Sequence, residues 1–425
     1  MRKRFTWVLA VAALVSVGLT VACSSKYSAS NNGLIVVSTQ GNAVMDSFSL
    51  NLGNGHVTQI YNVNGPPTNG VPTAVVLDPA GANAYLLVTQ STFVNQSSTG
   101  VESFPVGSDG KLGSGTTTTL ANATFTPSAG GAAESVPVMP VGMVIDSSGK
   151  LLFIADAETS DKSGTPVPGA VSVLSVNNGS LKEVAGSPLL LTGLPGSTTL
   201  NTTPSASALA VTPTVFPAAY ASCSGNVAPT SEHLYVTDSN NYVVLNYSVT
   251  SSGALTLVSE NATGKVPSGV TVDPCNRFVY VSNGQPDNTV SAFTICSVVN
   301  VPTCPAPDYS LVSVSGSPFL AGFGPGPLMM DAYANYLYVL DTQQGAVSPF
   351  RVSTTTGALT PLATTLVSNN GFPMSIAIRS DDSYMFVTDF NSATLSEYSI
   401  TPSSGLLTPL TPVQTDNQPW GVAVK

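Results

Sequence analysis

Apolar and polar positions along this chain recur in one order. A Pro-containing turn leads into a short apolar strand, and after a brief loop a second apolar strand closes on Thr or Ser with Asp, Asn or Gln. The second strands read Leu34-Ile-Val-Val-Ser-Thr-Gln40, Ala84-Tyr-Leu-Leu-Val-Thr-Gln90, Leu151-Leu-Phe-Ile-Ala-Asp156, His233-Leu-Tyr-Val-Thr-Asp238, Phe278-Val-Tyr-Val-Ser-Asn283, Tyr336-Leu-Tyr-Val-Leu-Asp341 and Tyr384-Met-Phe-Val-Thr-Asp389. The first strands begin at Val71, Pro140, Pro204, Pro267, Gly326, Pro373 and Pro419. A third strand alternates, as in Val243-Val-Leu-Asn-Tyr-Ser-Val249, and a Gly-x-Leu turn such as Gly253-Ala-Leu255 introduces a fourth. Continuous apolar runs belong to strands buried on both faces and alternating runs to strands nearer water. Four strands graded from dry to wet, repeated seven times, predict an all-β, seven-bladed propeller of four-stranded antiparallel blades.

The count of first strands carries a topological expectation. The array opens at Leu34 with a second strand that has no first strand before it, and the seventh first strand, at Pro419, comes last. The C-terminal strand is therefore expected to complete the N-terminal blade, closing the ring and burying edges that would otherwise template aggregation. Roughly 56 residues per unit exceed the ~40–50 of compact propeller repeats. The excess is placed in loops at 113–136, 183–203, 212–232 and 297–315, all rich in Gly, Pro, Ser and Thr.

The first residues fall outside this pattern. Arg2-Lys-Arg4, an apolar run from Trp7 to Val21 and then Ala22-Cys23 have the charged start, short hydrophobic region and small residue before the cut of an export signal. With Cys following directly, the segment resembles a bacterial lipoprotein signal. Residues 1–22 are read as signal peptide, Cys23 as the lipidated new N-terminus, 23–32 as a flexible tether and 33–425 as the propeller. The expected location is the cell envelope, at the outer membrane or cell surface, with membrane attachment through the lipid.

Four cysteines remain, and an even number in an exported chain favours disulfides. The blade assignment puts Cys223 and Cys275 between first and second strands of adjacent blades, on one face, whereas Cys296 and Cys304 bracket one hairpin. The expected pairs are Cys223 with Cys275 and Cys296 with Cys304. The formal charge of −10 becomes −13 when the three basic residues of the signal are removed, which argues against nucleic acid as a partner.

The Tyr-Val-Thr-Asp238 and Tyr-Val-Ser-Asn283 endings, the Asp78-Pro79 and Asp273-Pro274 turns and the Gly-x-Leu hairpins resemble the seven-bladed lactonase and YVTN-type propellers of bacteria over about residues 33–425. The resemblance implies a 6-phosphogluconolactonase-like fold. The family includes lactone hydrolases and many members with no assigned reaction, and its first strands often follow a His-Pro pair near the channel mouth. Here Val71-Pro, Met139-Pro, Thr203-Pro, Val266-Pro, Gly326-Pro, Phe372-Pro and Gln418-Pro stand instead. Lactone hydrolysis needs a base for water and a donor for the oxyanion, and the chain is short of both.

The two histidines, His56 and His233, are expected in solvated turns opposite the channel mouth, where Arg277 and Arg379 are also read as surface residues. The ligand-binding candidates are the second-strand ends Gln40, Gln90, Asp156, Asp238, Asn283, Asp341 and Asp389, which either close their own turns or ring a polar mouth, and Trp420, which stacks on a sugar or plugs an apolar channel shared with Met143 and Met374. Asp238, Asp341 and Asp389 are the catalytic candidates should the protein be a lactonase-type ester hydrolase. No cofactor is expected; an oxygen-rich, His-poor donor set suits Ca²⁺ rather than zinc. The leading expectation is a monomeric binding scaffold for a small molecule, glycan or envelope protein, with lactone hydrolysis as the alternative.

Overall fold

The computed structural model describes residues 32–60, 68–89, 99–127, 132–195, 197, 199–214, 232–296, 304, 308–367 and 371–425. Seven antiparallel sheets of four strands, four of them with a fifth short segment at the rim, surround one axis. Blade 1 pairs Asn32–Thr39, Val44–Asn51 and His56–Gln59 with the C-terminal Pro419–Val424 as its innermost strand. Ring closure thus takes the expected form. Leu34 and Lys425 exchange both backbone hydrogen bonds, at 3.2 and 2.8 Å.

The innermost strands of blades 2 to 7 are Val71–Leu77, Met139–Ile145, Ala206–Val211, Pro267–Val272, Pro325–Met330 and Pro373–Ile378. The second strands are buried almost throughout, as in Phe278–Asn283 and Tyr336–Asp341, in keeping with their unbroken apolar runs. Burial clusters straddle adjacent sheets, so the core is a set of seams between blades. The segment 113–136 read as loop contains extra structure: the outer strand Thr116–Thr119 and a small sheet of Ala123–Phe125 with Glu134–Val136. A second small sheet joins Thr159–Ser160 to Pro166–Val167.

Both sequence motifs have an inter-blade purpose. Tyr280 and Tyr338, in second strands, donate to the carbonyls of Gly357 and Gly405 in the Gly-x-Leu turn of the following blade, each at 3.0 Å. Those glycines have φ of +74° and +70°, and a Cβ there would run into the Phe278 and Tyr336 rings. Only glycine meets both demands. The Ser or Thr before the strand end is buried and bridges to the next inner strand: Ser282 Oγ donates to Gly326 O at 2.6 Å and Thr388 Oγ1 to Trp420 O at 2.9 Å.

The Cys296–Cys304 disulfide is present. Cys275 is also disulfide-bonded, and the partner expected for it, Cys223, lies outside the described residues, as do Cys23 and Gln90.

Candidate functional site: the central channel

Each inner strand carries one register shift against its neighbour, just past the lead-in proline or its equivalent. The shifts fall at Pro72/Ala74, Pro140/Gly142, Ala206/Ala208, Pro267/Gly269, Pro325/Leu328 and Pro373/Ser375, and opposite Val37/Thr39 in blade 1. A β-bulge leaves a residue unpaired and re-aims its side chain. The residues in the bulges are Thr73, Val141, Ser207, Ser268, the Gly326-Pro327 pair, Met374 and Trp420, and all of them line a central channel of about 980 Å³. That volume is at the upper end of the ~300–1,000 Å³ usual for small-molecule sites.

The bulge hydroxyls that face the channel are already committed. Ser207 Oγ donates to Pro267 O at 2.7 Å and Ser268 Oγ to Pro325 O at 2.8 Å, stitching each blade to the next. Gln40 Nε2 does the same for Pro72 O at 2.7 Å. The bore presents aliphatic groups, backbone, hydroxyls and the side-chain amides of Gln285 and Gln343. Met143, Met374 and Trp420 line it together with aliphatic side chains of the inner strands. The Trp420 ring stands edge-on to Phe390, with centroids 5.8 Å apart, so it is braced across the seam between blades 7 and 1. Among the described residues no His, Asp, Glu, Lys or Arg lines this channel.

The strand-end carboxylates sit in the blades rather than on the channel wall. Asp238 accepts from Ser205 N at 2.9 Å, Asn240 N at 3.0 Å and Asn241 Nδ2 at 2.7 Å. Asp389 accepts from Phe372 N at 3.1 Å and Ser392 Oγ at 2.8 Å. Asp341 takes Ser348 Oγ at 2.5 Å, and a Cβ on Gly322 would overlap its carboxylate, so the chain above it has to be glycine. Asp156 takes Ser172 Oγ at 2.7 Å. Asn283 donates to the hydroxyls of Thr289 and Ser291, both at 3.0 Å. All five are fully or almost fully buried. Burial pushes Asp156 up to about 8 and Asp341 up to about 6, the cost of desolvating a carboxylate that has few donors.

Register separates Gln40 from this set. Thr39, not Gln40, stands opposite the lead-in Pro419, as Asp341 and Asp389 stand opposite Pro325 and Pro373.

His56 is exposed as expected, with Nδ1 3.1 Å from Thr58 Oγ1. His233 corrects the expectation of a solvated turn. It is buried, its ring is stacked on Tyr309 at 4.5 Å and its Nδ1 lies 2.9 Å from Asn246 Oδ1. Tyr309 comes from the outer region of blade 5, a contact no local pattern reveals. Burial lowers the His233 pKa. Arg277 and Arg379 lie in turns opposite the channel mouth but are partly buried, Arg277 through its ion pair with Asp273 at 2.5 Å and Arg379 through one with Asp381. No cluster of three or more potential metal ligands occurs among the described residues.

No curated protein matches this chain in sequence. The family model described as lactonase, 7-bladed beta-propeller matches residues 314–423, which span blades 6 and 7 and the closing strand. Among solved structures, a candidate 6-phosphogluconolactonase from Bacteroides fragilis is 16% identical with a TM-score of 0.66, covering 93% of this chain and 98% of its own. The periplasmic gluconolactonase of Pseudomonas aeruginosa is likewise 16% identical, at a TM-score of 0.64 and coverages of 93% and 98%. A Lactobacillus plantarum protein is 13% identical, at 0.67 and coverages of 93% and 99%. Fold and motif agree with the resemblance read from the sequence: the chain is a seven-bladed β-propeller whose C-terminal blades match the lactonase family model.

Proposed function

We propose that this protein is a binding propeller without chemistry of its own, held at the cell envelope by a lipid on Cys23, which receives an uncharged ligand or partner segment through the channel mouth. The observation that carries the reading is the wall of the channel. Every lining residue among those described is apolar, hydroxyl or amide. General acid–base catalysis requires a titratable group within hydrogen-bond reach of the reacting proton. A phosphorylated sugar further requires a cation to receive it. The wall offers neither.

The topology supports a sensible orientation. The second strand Asn32–Thr39 starts beside Lys425, on the face opposite the lead-in prolines, so a tether arriving at Asn32 leaves the mouth pointing away from the membrane. Fractionation of cells tests the anchor: the protein is expected with membranes and Cys23→Ser in the soluble fraction, and a soluble wild-type protein contradicts it.

Lactone hydrolysis is the second reading, favoured by the gluconolactonase among the structural neighbours and the family match at the C-terminal blades. It would run through Asp238, Asp341 or Asp389, of which Asp341, raised to about 6, is nearest to a working base. If turnover exists and Asp341→Asn with Asp389→Asn abolishes it in folded protein, the binding reading fails.

A further inference from the structure

A second recess on the mouth face differs from the channel in chemistry. It has a volume of about 560 Å³ and is lined by Glu158 of blade 3, Thr202, Thr203, Ser239, Asn240 and Tyr242 of blade 4, and Val266 at the start of blade 5. Its framework is prebuilt. Asn240 Nδ2 donates to Glu158 and, at 2.8 Å, to Thr203 O, while Glu158 N donates to Ser205 Oγ at 3.1 Å. Beneath it Asn241 Oδ1 receives Asn201 N, Thr202 N and the Thr202 hydroxyl at 2.8–2.9 Å. Side chains from blades 3 and 4 are thus fixed relative to one another.

Two of the lining residues break the repeat. The residue before the third strand has a left-handed backbone in five blades: Ala43, Asn288, Ala393 and Gly345 fill it in four, and Tyr242 at φ 58° in blade 4. The residue before the lead-in proline is left-handed in three: Gly324, Gln418 and, in blade 5, Val266 at φ 51°. A bulky ring and a β-branched side chain are the poorest choices for that backbone. Neither recovers the cost by burial, since Tyr242 is 39% and Val266 42% exposed. Both flank the same recess. Where the equivalent positions carry small or unbranched residues (Ala43, Asn288, Gly345, Ala393, Gly324, Gln418), blades 4 and 5 display a ring and a branched side chain side by side, which points to a surface kept for a ligand.

We infer that this recess, which adjoins the channel and shares Val266 with it, is a carbohydrate site that takes a neutral hexose unit. The Tyr242 ring and Val266 methyls offer the apolar platform that suits the C–H face of a pyranose. The Glu158 carboxylate, the Asn240 side-chain oxygen and the Ser239 hydroxyl oxygen offer acceptors for ring hydroxyls, and the Thr203 hydroxyl a donor. Among the described residues Glu158 is the only acidic side chain lining the recess and no cationic side chain lines it, so phosphorylated and uronic sugars are repelled.

Titration calorimetry of the purified protein with glucose, galactose, mannose and N-acetylglucosamine, and with the β-1,4 disaccharides of glucose and N-acetylglucosamine, is the test. Saturable binding of at least one sugar is expected. Tyr242→Asn, which installs the residue type of Asn288, is expected to lose about tenfold in affinity with no fall in melting temperature, and Glu158→Gln about tenfold, the scale of one charged hydrogen bond. Trp420→Ala in the channel leaves sugar affinity unchanged, so this site and the channel reading fail separately. The inference is overturned if none of the sugars binds, if binding survives both recess variants, if it is lost in Trp420→Ala instead, or if tetramethylammonium occupies the recess in their place.

Discussion

Two glycines separate backbone strain from steric overlap. Gly405 and Gly164 both have positive φ, but a Cβ on Gly405 meets the Tyr336 ring whereas one on Gly164 meets nothing within 4 Å. Gly164→Ala is expected to cost about 1 kcal/mol for the left-handed backbone alone. Gly405→Ala adds overpacking and is expected to cost about 3 kcal/mol. Urea unfolding of the two variants measures the difference, and equal losses would mean that the ring yields freely. Residue-level legibility was uneven for a related reason. The Gly-x-Leu motif and the Thr-Asp endings were visible because each repeats, but their reasons lie in the neighbouring blade, where Tyr338 reaches Gly405 and Thr388 reaches Trp420. The burial of His233 depends on Tyr309, far along the chain, and so had no local signature.

Among elements, the closing strand matters most. Pro419–Val424 pairs with Asn32–Thr39 and contributes Val422 to the core shared with blade 7. Removal of residues 419–425 is expected to leave both an open strand edge and a gap in the ring, and the product is expected to be insoluble or aggregated. A soluble, monomeric truncation with an unchanged melting temperature would contradict closure as a requirement. The inner strands were legible from their apolar runs and lead-in prolines. Their bulges were not, because a bulge is a mismatch between two strands and leaves no periodicity in either. As a result Trp420 and Met374 stood out in the sequence as channel residues, while Thr73, Ser207 and Ser268 passed unnoticed. The strand-end acids looked available for chemistry for the same reason: their register opposite the lead-in prolines, which places them inside turns, needs two strands to define.

For the molecule as a whole, the buried carboxylates set the response to pH. Burial chiefly holds Asp156 at about 8, Glu232, Asp331 and Glu397 at about 7 and Asp341 at about 6, against roughly 4 in an unfolded chain. Between those limits the folded protein retains protons that the unfolded chain has released, so stability falls as pH rises through the window. His233, whose pKa burial lowers, acts in the opposite sense but is a single group. Thermal melts are expected to give a higher midpoint at pH 5 than at pH 8.5, with the difference reduced in Glu397→Gln. A midpoint that climbs from pH 5 to 8.5 would mean that these carboxylates are ionised in the fold.

The same burial that raises these carboxylates keeps them from the channel, and the central claim rests on that separation: a propeller ring whose bore is lined, among the described residues, by no acid or base. It is tested most directly by turnover of the purified protein on a panel of sugar and aliphatic lactones, glucono-δ-lactone and its 6-phosphate among them, with and without Ca²⁺. The expected result is a rate indistinguishable from buffer across the panel, on protein that melts cooperatively. Saturable hydrolysis that disappears in the Asp341→Asn, Asp389→Asn double variant while the fold persists would contradict it.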